Sequence, residues 1–407
     1  MQVFLGKMEK KDLILVVGFY FYTYLPSKIL GMKKILFVFL IAGIIGCDEK
    51  SQNVQQEGYV PELIITDSLV IDRLTTPFMA DVKSDHSEFL FYDWKTSEFL
   101  RISPEGDILQ TANLTGDGKN SMQAGYFIAA RYGAQNEIIV HTITGTYFYE
   151  PDFNLIRKVE NDFELVTRTV GGSRSFDTFE GVLYTFSMEE KDRPDLINAE
   201  NYSIQYPFTT LRDINTLKPF KTEFIPKESS LAQNPGYYTL LDPYVQFQNG
   251  ELLMIFPNSP ELYIYEFPSL NLKDIWELDP ENNFKLTQPT YPSDPAGFIK
   301  SFGGDEYSGF VFSNGYLLTK YKEALPSDEL QKITPENISS EATGEILGKY
   351  RSNFNYQIFK EGDMLWEGKW DVNLSINRDL IFASYKPGED PNASEKDVQT
   401  FYFYELR

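Results

Sequence analysis

From about residue 59 to its end, the sequence predicts an all-β chain folded as a six-bladed β-propeller. Three observations carry this. Short apolar runs recur between turn residues, and helical periodicity is almost absent. The runs recur as six units, spaced at roughly 45 to 70 residues. Aromatic residues make up 15% of the chain, which suits it to filling the space between packed sheets.

The N-terminal part has a different composition. Residues 32–46 read as a signal peptide, with Lys33 and Lys34 ahead of an apolar stretch at 35–45. That stretch is too short to cross a bilayer, which takes ~20 apolar residues. It ends in Ile44-Ile45-Gly46-Cys47, which resembles a bacterial lipobox. Cys47 is the single cysteine of the chain, so no internal disulfide competes for its thiol, and it is expected to carry the lipid. Residues 1–31 precede a segment that works at an N-terminus, so Met32 is read as the initiator and 1–31 as a start-site artefact. Residues 47–58 are polar, lack periodicity and read as a flexible tether. The acidic pair Asp48-Glu49 is similar to surface-export signals of Bacteroidota lipoproteins. The expected location is therefore the outer membrane, facing the periplasm or the cell surface.

The formal charge is −22, and −26 without residues 1–46, which hold six Lys/Arg and two Asp/Glu. Such a surface repels nucleic acid and anionic headgroups, so nucleic-acid binding is excluded and the membrane is reached through lipid alone.

Six runs open the repeating units: residues 88–92, 137–141, 181–186, 251–256, 309–312 and 379–384. Hairpin partners follow at 98–102, 146–150, 262–266 and 400–405. Further strands are expected at 103–110 and 268–276. Insertions fall near 189–207 and 323–351, the second with helix-permitting sequence around Ser327. A strand near 62–71 is expected to complete the blade ending at 400–406 and so to close the ring. One four-stranded blade cannot bury both faces, whereas blades stacked radially cover one another.

With signal, tether and six-unit pattern in place, the chain resembles the TolB-like six-bladed propeller lipoproteins of Bacteroidota. The Gly-rich stretch 114–120 (LTGDGKN) occupies the place of a turn before the second blade in such proteins, without their commoner Gly-Pro form. The resemblance implies a fold and a location, and no catalytic residue.

Candidate site residues are few. His86 and His141 are the only histidines, at non-equivalent positions and without neighbouring ligands, so no metal or cofactor is expected and His-dependent nucleophilic catalysis is disfavoured. Carboxylates are abundant, but no spacing singles out an acid/base pair. Tyrosines cluster beside Pro and Gly at 205–208, 235–238 and 290–292, where flat rings can serve recognition or act as lids over blade edges. Stepping back ten residues from each opening run should reach the inner strand, giving Ala80, Ala129, Arg174, Pro243, Lys300 and Asp371. Arg174, Lys300, Asp371, Tyr237 and Tyr238 are thus the expected ligand-binding residues. The reading is a non-catalytic envelope protein that binds an anionic glycan, a peptide terminus or an envelope partner. A carboxylate-dependent hydrolase or lyase on the same face is the alternative, and a structural subunit of a surface complex a third.

Overall fold

The computed structural model describes residues 61–122, 127–167, 174–193, 201–279, 283–290, 294, 296–388 and 398–407. The expected signal peptide, tether and Cys47 lie outside these residues.

After β1 (Leu63–Ile71) the chain makes β2 (Phe78–Val82), β3 (Phe89–Asp93), β4 (Glu98–Ile102) and β5 (Ile108–Asn113), an antiparallel sheet in that order. The second sheet is β6 (Phe127–Tyr132), β7 (Ile138–Thr142), β8 (Gly145–Tyr149) and β9 (Leu155–Glu160). In the third, β10 (Phe163–Leu165) and β11 (Phe176–Phe179) both pair with the long β12 (Val182–Glu189), followed by β13 (Thr209–Asp213) and β14 (Pro219–Glu223). The fourth is β15 (Tyr244–Gln248), β16 (Glu251–Ile255), β17 (Glu261–Glu266) and β18 (Asn271–Glu277). The fifth is β19 (Glu306–Ser313), β20 (Tyr316–Lys322), β21 (Phe354–Lys360) and β22 (Asp363–Gly368). The sixth runs β23 (Ser375–Asn377), β24 (Leu380–Ala383), β25 (Gln399–Leu406) and then β1. The chain is a six-bladed propeller whose last blade is completed by its first strand.

The burial pattern explains why the second and third strands read as continuous apolar runs. All five residues of β3, β7 and β8 are buried, because a neighbouring blade covers each face. The outermost strands β5, β9 and β18 are largely exposed. The core is correspondingly divided: each blade-to-blade interface has its own hydrophobic cluster. The closing interface, blade six on blade one, stacks Phe403 on Phe89 at 5.4 Å and sets Phe401 against Phe91 at 5.2 Å.

Four inner hairpins have two-residue turns: Glu180-Gly181, Asn249-Gly250, Asn314-Gly315 and Arg378-Asp379. In the first three both residues have positive φ, the geometry that matches strand twist and that favours Asn-Gly. The corresponding turns of blades one and two are longer, at 83–88 and 133–137. A constant step of ten residues therefore lands on the inner strands β2 and β6 at Ala80 and Ala129, and overshoots elsewhere. Arg174 and Pro243 fall just ahead of β11 and β15, and Asp371 falls in the connection before β23. Lys300 has a further cause. The run 309–312 belongs to the inner strand β19, not to the second strand, as the Asn314-Gly315 turn behind it requires.

The connections on the opposite face from these turns are longer. They carry α1 (Tyr202–Gln205), α2 (Ser230–Gln233), α3 (Gly297–Ser301), α4 (Ser327–Leu330) and α5 (Glu341–Tyr350). α5 is capped by Ser340, whose side chain accepts from the Thr343 N–H. A satellite cluster of Ile299, Leu325 and Ile333 seats the insertion on the ring.

Because Phe403 fills the closing interface, Phe403→Ala is expected to cost about 3–5 kcal/mol in urea unfolding. A loss below about 1 kcal/mol would mean that closure does not depend on this seam.

Candidate functional site

The inner strands converge on the axis and bring charged residues from distant parts of the sequence together. Asp81 on β2 is fully buried and accepts two hydrogen bonds from Arg378, from Nε at 2.8 Å and from Nη2 at 2.9 Å. It also accepts the Tyr132 N–H at 2.7 Å. Arg378 Nη2 lies 3.4 Å from Asp177 Oδ1, and Arg131 Nε approaches the same oxygen at 3.2 Å. Arg131 additionally donates to the Ala80 carbonyl at 2.6 Å. Asp81, Arg131, Asp177 and Arg378 thus form an alternating chain of charges joining blades one, two, three and six. Burial works against the charge on Arg378, but Asp81 and Asp177 hold its guanidinium above its ordinary range.

A second cluster joins blades three, four and five. Arg174 donates to both oxygens of Asp242, at 3.1 and 3.0 Å, with its guanidinium over the Tyr244 ring. Asp242 accepts as well from Thr167 at 2.8 Å and Ser175 at 3.3 Å. Burial opposes charge on Arg174, yet Tyr244, Asp242 and Glu306 keep it protonated.

Above the first cluster, at the face where the inner turns gather, is a cavity of about 560 Å³. That is within the ~300–1,000 Å³ usual for small-molecule sites. All six blades line it. Phe179, Phe247 and Phe312 from blades three to five form one wall. Lys83 and Asp85 of blade one and Arg378 and Asp379 of blade six face them. At the rim His86 Nε2 lies 3.0 Å from Asp379 Oδ1, bridging the turns of blades one and six. The hydrogen bond to Asp379 raises the imidazole above its ordinary 6.5, against partial burial. Burial pushes Asp379 up, but His86 holds it below its ordinary 3.8.

A smaller recess of about 230 Å³ lies on the opposite face, lined by Tyr202, Tyr237, Tyr238 and Asp242 among others. The five residues expected to bind ligand are distributed as follows. Tyr237 and Tyr238 are in this recess, with Arg174 behind it through Asp242. Tyr238 is buried and donates from its hydroxyl to the Asn234 carbonyl, and Tyr237 exchanges backbone hydrogen bonds with Thr290. Both pack as part of the connection. Lys300 is on α3, exposed, with Nζ 2.6 Å from Asp294 Oδ2. Asp371 is exposed. The structure thus does not place Lys300 or Asp371 on the channel wall.

His141 is a core residue, bonded to Thr146 at 2.9 Å between Phe163 and Phe176, and burial pushes it down to about 3. Burial pushes Lys320 down to about 7, but its amine is walled in by Asn373 Oδ1 and the Leu374 carbonyl, away from either cavity. Among the described residues no group of three His, Cys, Asp or Glu could hold a metal ion.

Of the residues missed from sequence, Asp81, Arg131, Asp177 and Arg378, the first three had a signal. Asp81, Arg131 and Asp177 are charges inside short apolar strands, and Asp177 stands three residues before its turn, as Gln246 does in blade four. Alignment on the turns brings Asp177 and Gln246 to one position, whereas nothing local marks Arg378.

Two outcomes test this geometry. Arg378→Met leaves Asp81 and Asp177 buried without their shared cation, and is expected to lower stability by about 3–5 kcal/mol in urea. The rim pair titrates. Its contribution is complete above the ordinary Asp value of 3.8 and below the ordinary His value of 6.5. It fades as pH rises through the raised imidazole value, because the imidazolium is the stabilised form. His86→Gln is therefore expected to cost roughly 0.5 kcal/mol at about pH 5.5 and nothing at about pH 9. An equal loss at both would show that the pair is not ionic.

No protein-family model matches the sequence, and no curated protein is similar to it. Solved structures share the architecture. A member of the DUF4221 family from Bacteroides vulgatus superposes with a TM-score of 0.57 at 11% identity, covering 85% of this chain and 98% of its own. A candidate exported protein from Bacteroides fragilis gives 0.52 at 10% identity, covering 86% and 96%. Among the described residues no helix is long and apolar enough to cross a membrane. At these identities the likeness is one of fold, and the chain is similar to these Bacteroides proteins as a six-bladed β-propeller.

Proposed function

We propose that this chain is a lipid-anchored protein of the cell envelope that binds a small polar ligand in the axial cavity without turning it over. The observation that carries this reading is the cavity itself: about 560 Å³ in volume, with side chains from all six blades converging on it. Ligand sites combine apolar walls with a few placed polar groups, as here.

The chemistry of the floor favours binding over catalysis. A general acid/base pair needs carboxylates able to exchange protons with a substrate. Asp81 and Asp177 are instead engaged by Arg378 and Arg131. The expected preference for an anionic ligand loses its basis. It rested on Arg174 and Lys300, and these are matched by Asp242 and Asp294 away from this cavity.

Anchoring rests on the lipobox-like sequence ending at Cys47. Cys47→Ser is expected to leave an uncleaved precursor or to release the chain from the membrane fraction. Processing that continues unchanged would assign the anchor elsewhere. For the cavity, Ala134→Trp, at an exposed turn position on the lining, is expected to obstruct the mouth. Small polar compounds that raise the melting temperature of the full chain should then fail to do so in the variant. A ligand at about 100 times its Kd stabilises by ~2.7 kcal/mol, ample for detection. Equal shifts in both proteins would place binding outside the cavity.

A further inference from the structure

We propose that the axial cavity selects an organic ammonium ligand with an aromatic or apolar body. The proposal rests on the reading that this cavity is the binding site, and adds to it the class of ligand. The cavity has two unlike halves. Phe179, Phe247 and Phe312 contribute ring surface from three consecutive blades, with Phe179 and Phe247 stacked at 5.5 Å and 27°. None of these rings carries a hydroxyl, so this half offers apolar, aromatic contact for the body of a ligand.

The other half is acidic. Four lining carboxylates, Asp85, Asp177, Glu180 and Asp379, outnumber two lining cations, Lys83 and Arg378. Asp177 is held by Arg131 and Arg378 and Asp379 by His86, so Asp85 and Glu180 are the lining carboxylates outside these ion pairs. Neither cation is without a carboxylate. Arg378 is held by Asp81 and Asp177, and Lys83 lies 3.3 Å from Glu88, which it shares with Arg101. An anion entering would meet an excess of carboxylates on the lining, with Lys83, whose partner is shared, as the less fully matched lining cation. An ammonium group would meet carboxylates at the rim, with the aromatic wall beyond for its apolar body. The whole chain acts in the same direction: at a formal charge of −22 it raises the local concentration of cations.

Three shape-matched probes separate the classes: phenethylamine, 2-phenylethanol and 3-phenylpropionate, titrated calorimetrically into the full chain in detergent at low salt. Phenethylamine is expected to bind about tenfold or more tightly than the other two. Phe247→Ala and Asp85→Asn should each weaken it, and added salt should weaken it further. If the alcohol or the acid binds as well as the amine and is still lost in Phe247→Ala, the ammonium preference is wrong while the cavity reading stands. If the amine binds and neither substitution nor Ala134→Trp affects it, the cavity reading itself fails. Absence of binding by all three probes also overturns the ammonium proposal.

Discussion

The structure depends on what happens where six inner strands meet. Radial packing forces these strands toward one axis, and the charges they carry are largely withdrawn from bulk water. Asp81 and Asp177 are tolerable there only because Arg378 and Arg131 lie between them. A buried ion pair contributes little over a hydrophobic substitute, but breaking one is costly because the remaining charge is stranded. The network therefore acts as a constraint on assembly. Arg378 and Asp81 are 297 residues apart and meet only when the ring has closed.

Around this axis the fold is built of repeated, separate cores. Each interface buries aromatic and aliphatic side chains from two neighbouring blades, so every blade depends on two others. At the seam between blades six and one this dependence is carried by the Phe403–Phe89 and Phe401–Phe91 contacts, by β1 pairing with β25, and by the Arg378–Asp81 pair. The Asn377 side chain adds a hydrogen bond to the Met79 carbonyl across the same seam. Apolar contact, strand pairing and charge thus coincide where the first and last described strands meet.

The same geometry produces the cavity. Inner hairpins with two-residue turns keep the turn face low, while the long insertions and helices lie on the opposite face. The axis is consequently open where the short turns gather, and its floor is the charge network. The side chains that could bind a ligand are therefore held by the framework. Their positions follow from blade packing, with Gln246 accepting from the Phe312 N–H at 3.0 Å to fix the aromatic wall.

By itself the sequence determined the strands buried on both faces, because they are nearly uninterrupted apolar runs between turns, and it determined the number of units and the closing strand. It also contained the Asn249-Gly250 and Asn314-Gly315 turns, which fix hairpin register by requiring positive φ at both residues. What it could not supply was which charge meets which. Arg174 and Lys300 look alike in the sequence as cations in an acidic chain. One is buried against Asp242 and Tyr244, and the other is exposed on a helix beside Asp294. Arg378 occupies a turn that local sequence reads as solvated, yet it bonds both oxygens of a carboxylate on the first blade. Strand identity follows from local periodicity and turn chemistry, whereas charge pairing at the axis depends on six separate registers summed around a closed ring. Only the tertiary structure decided it.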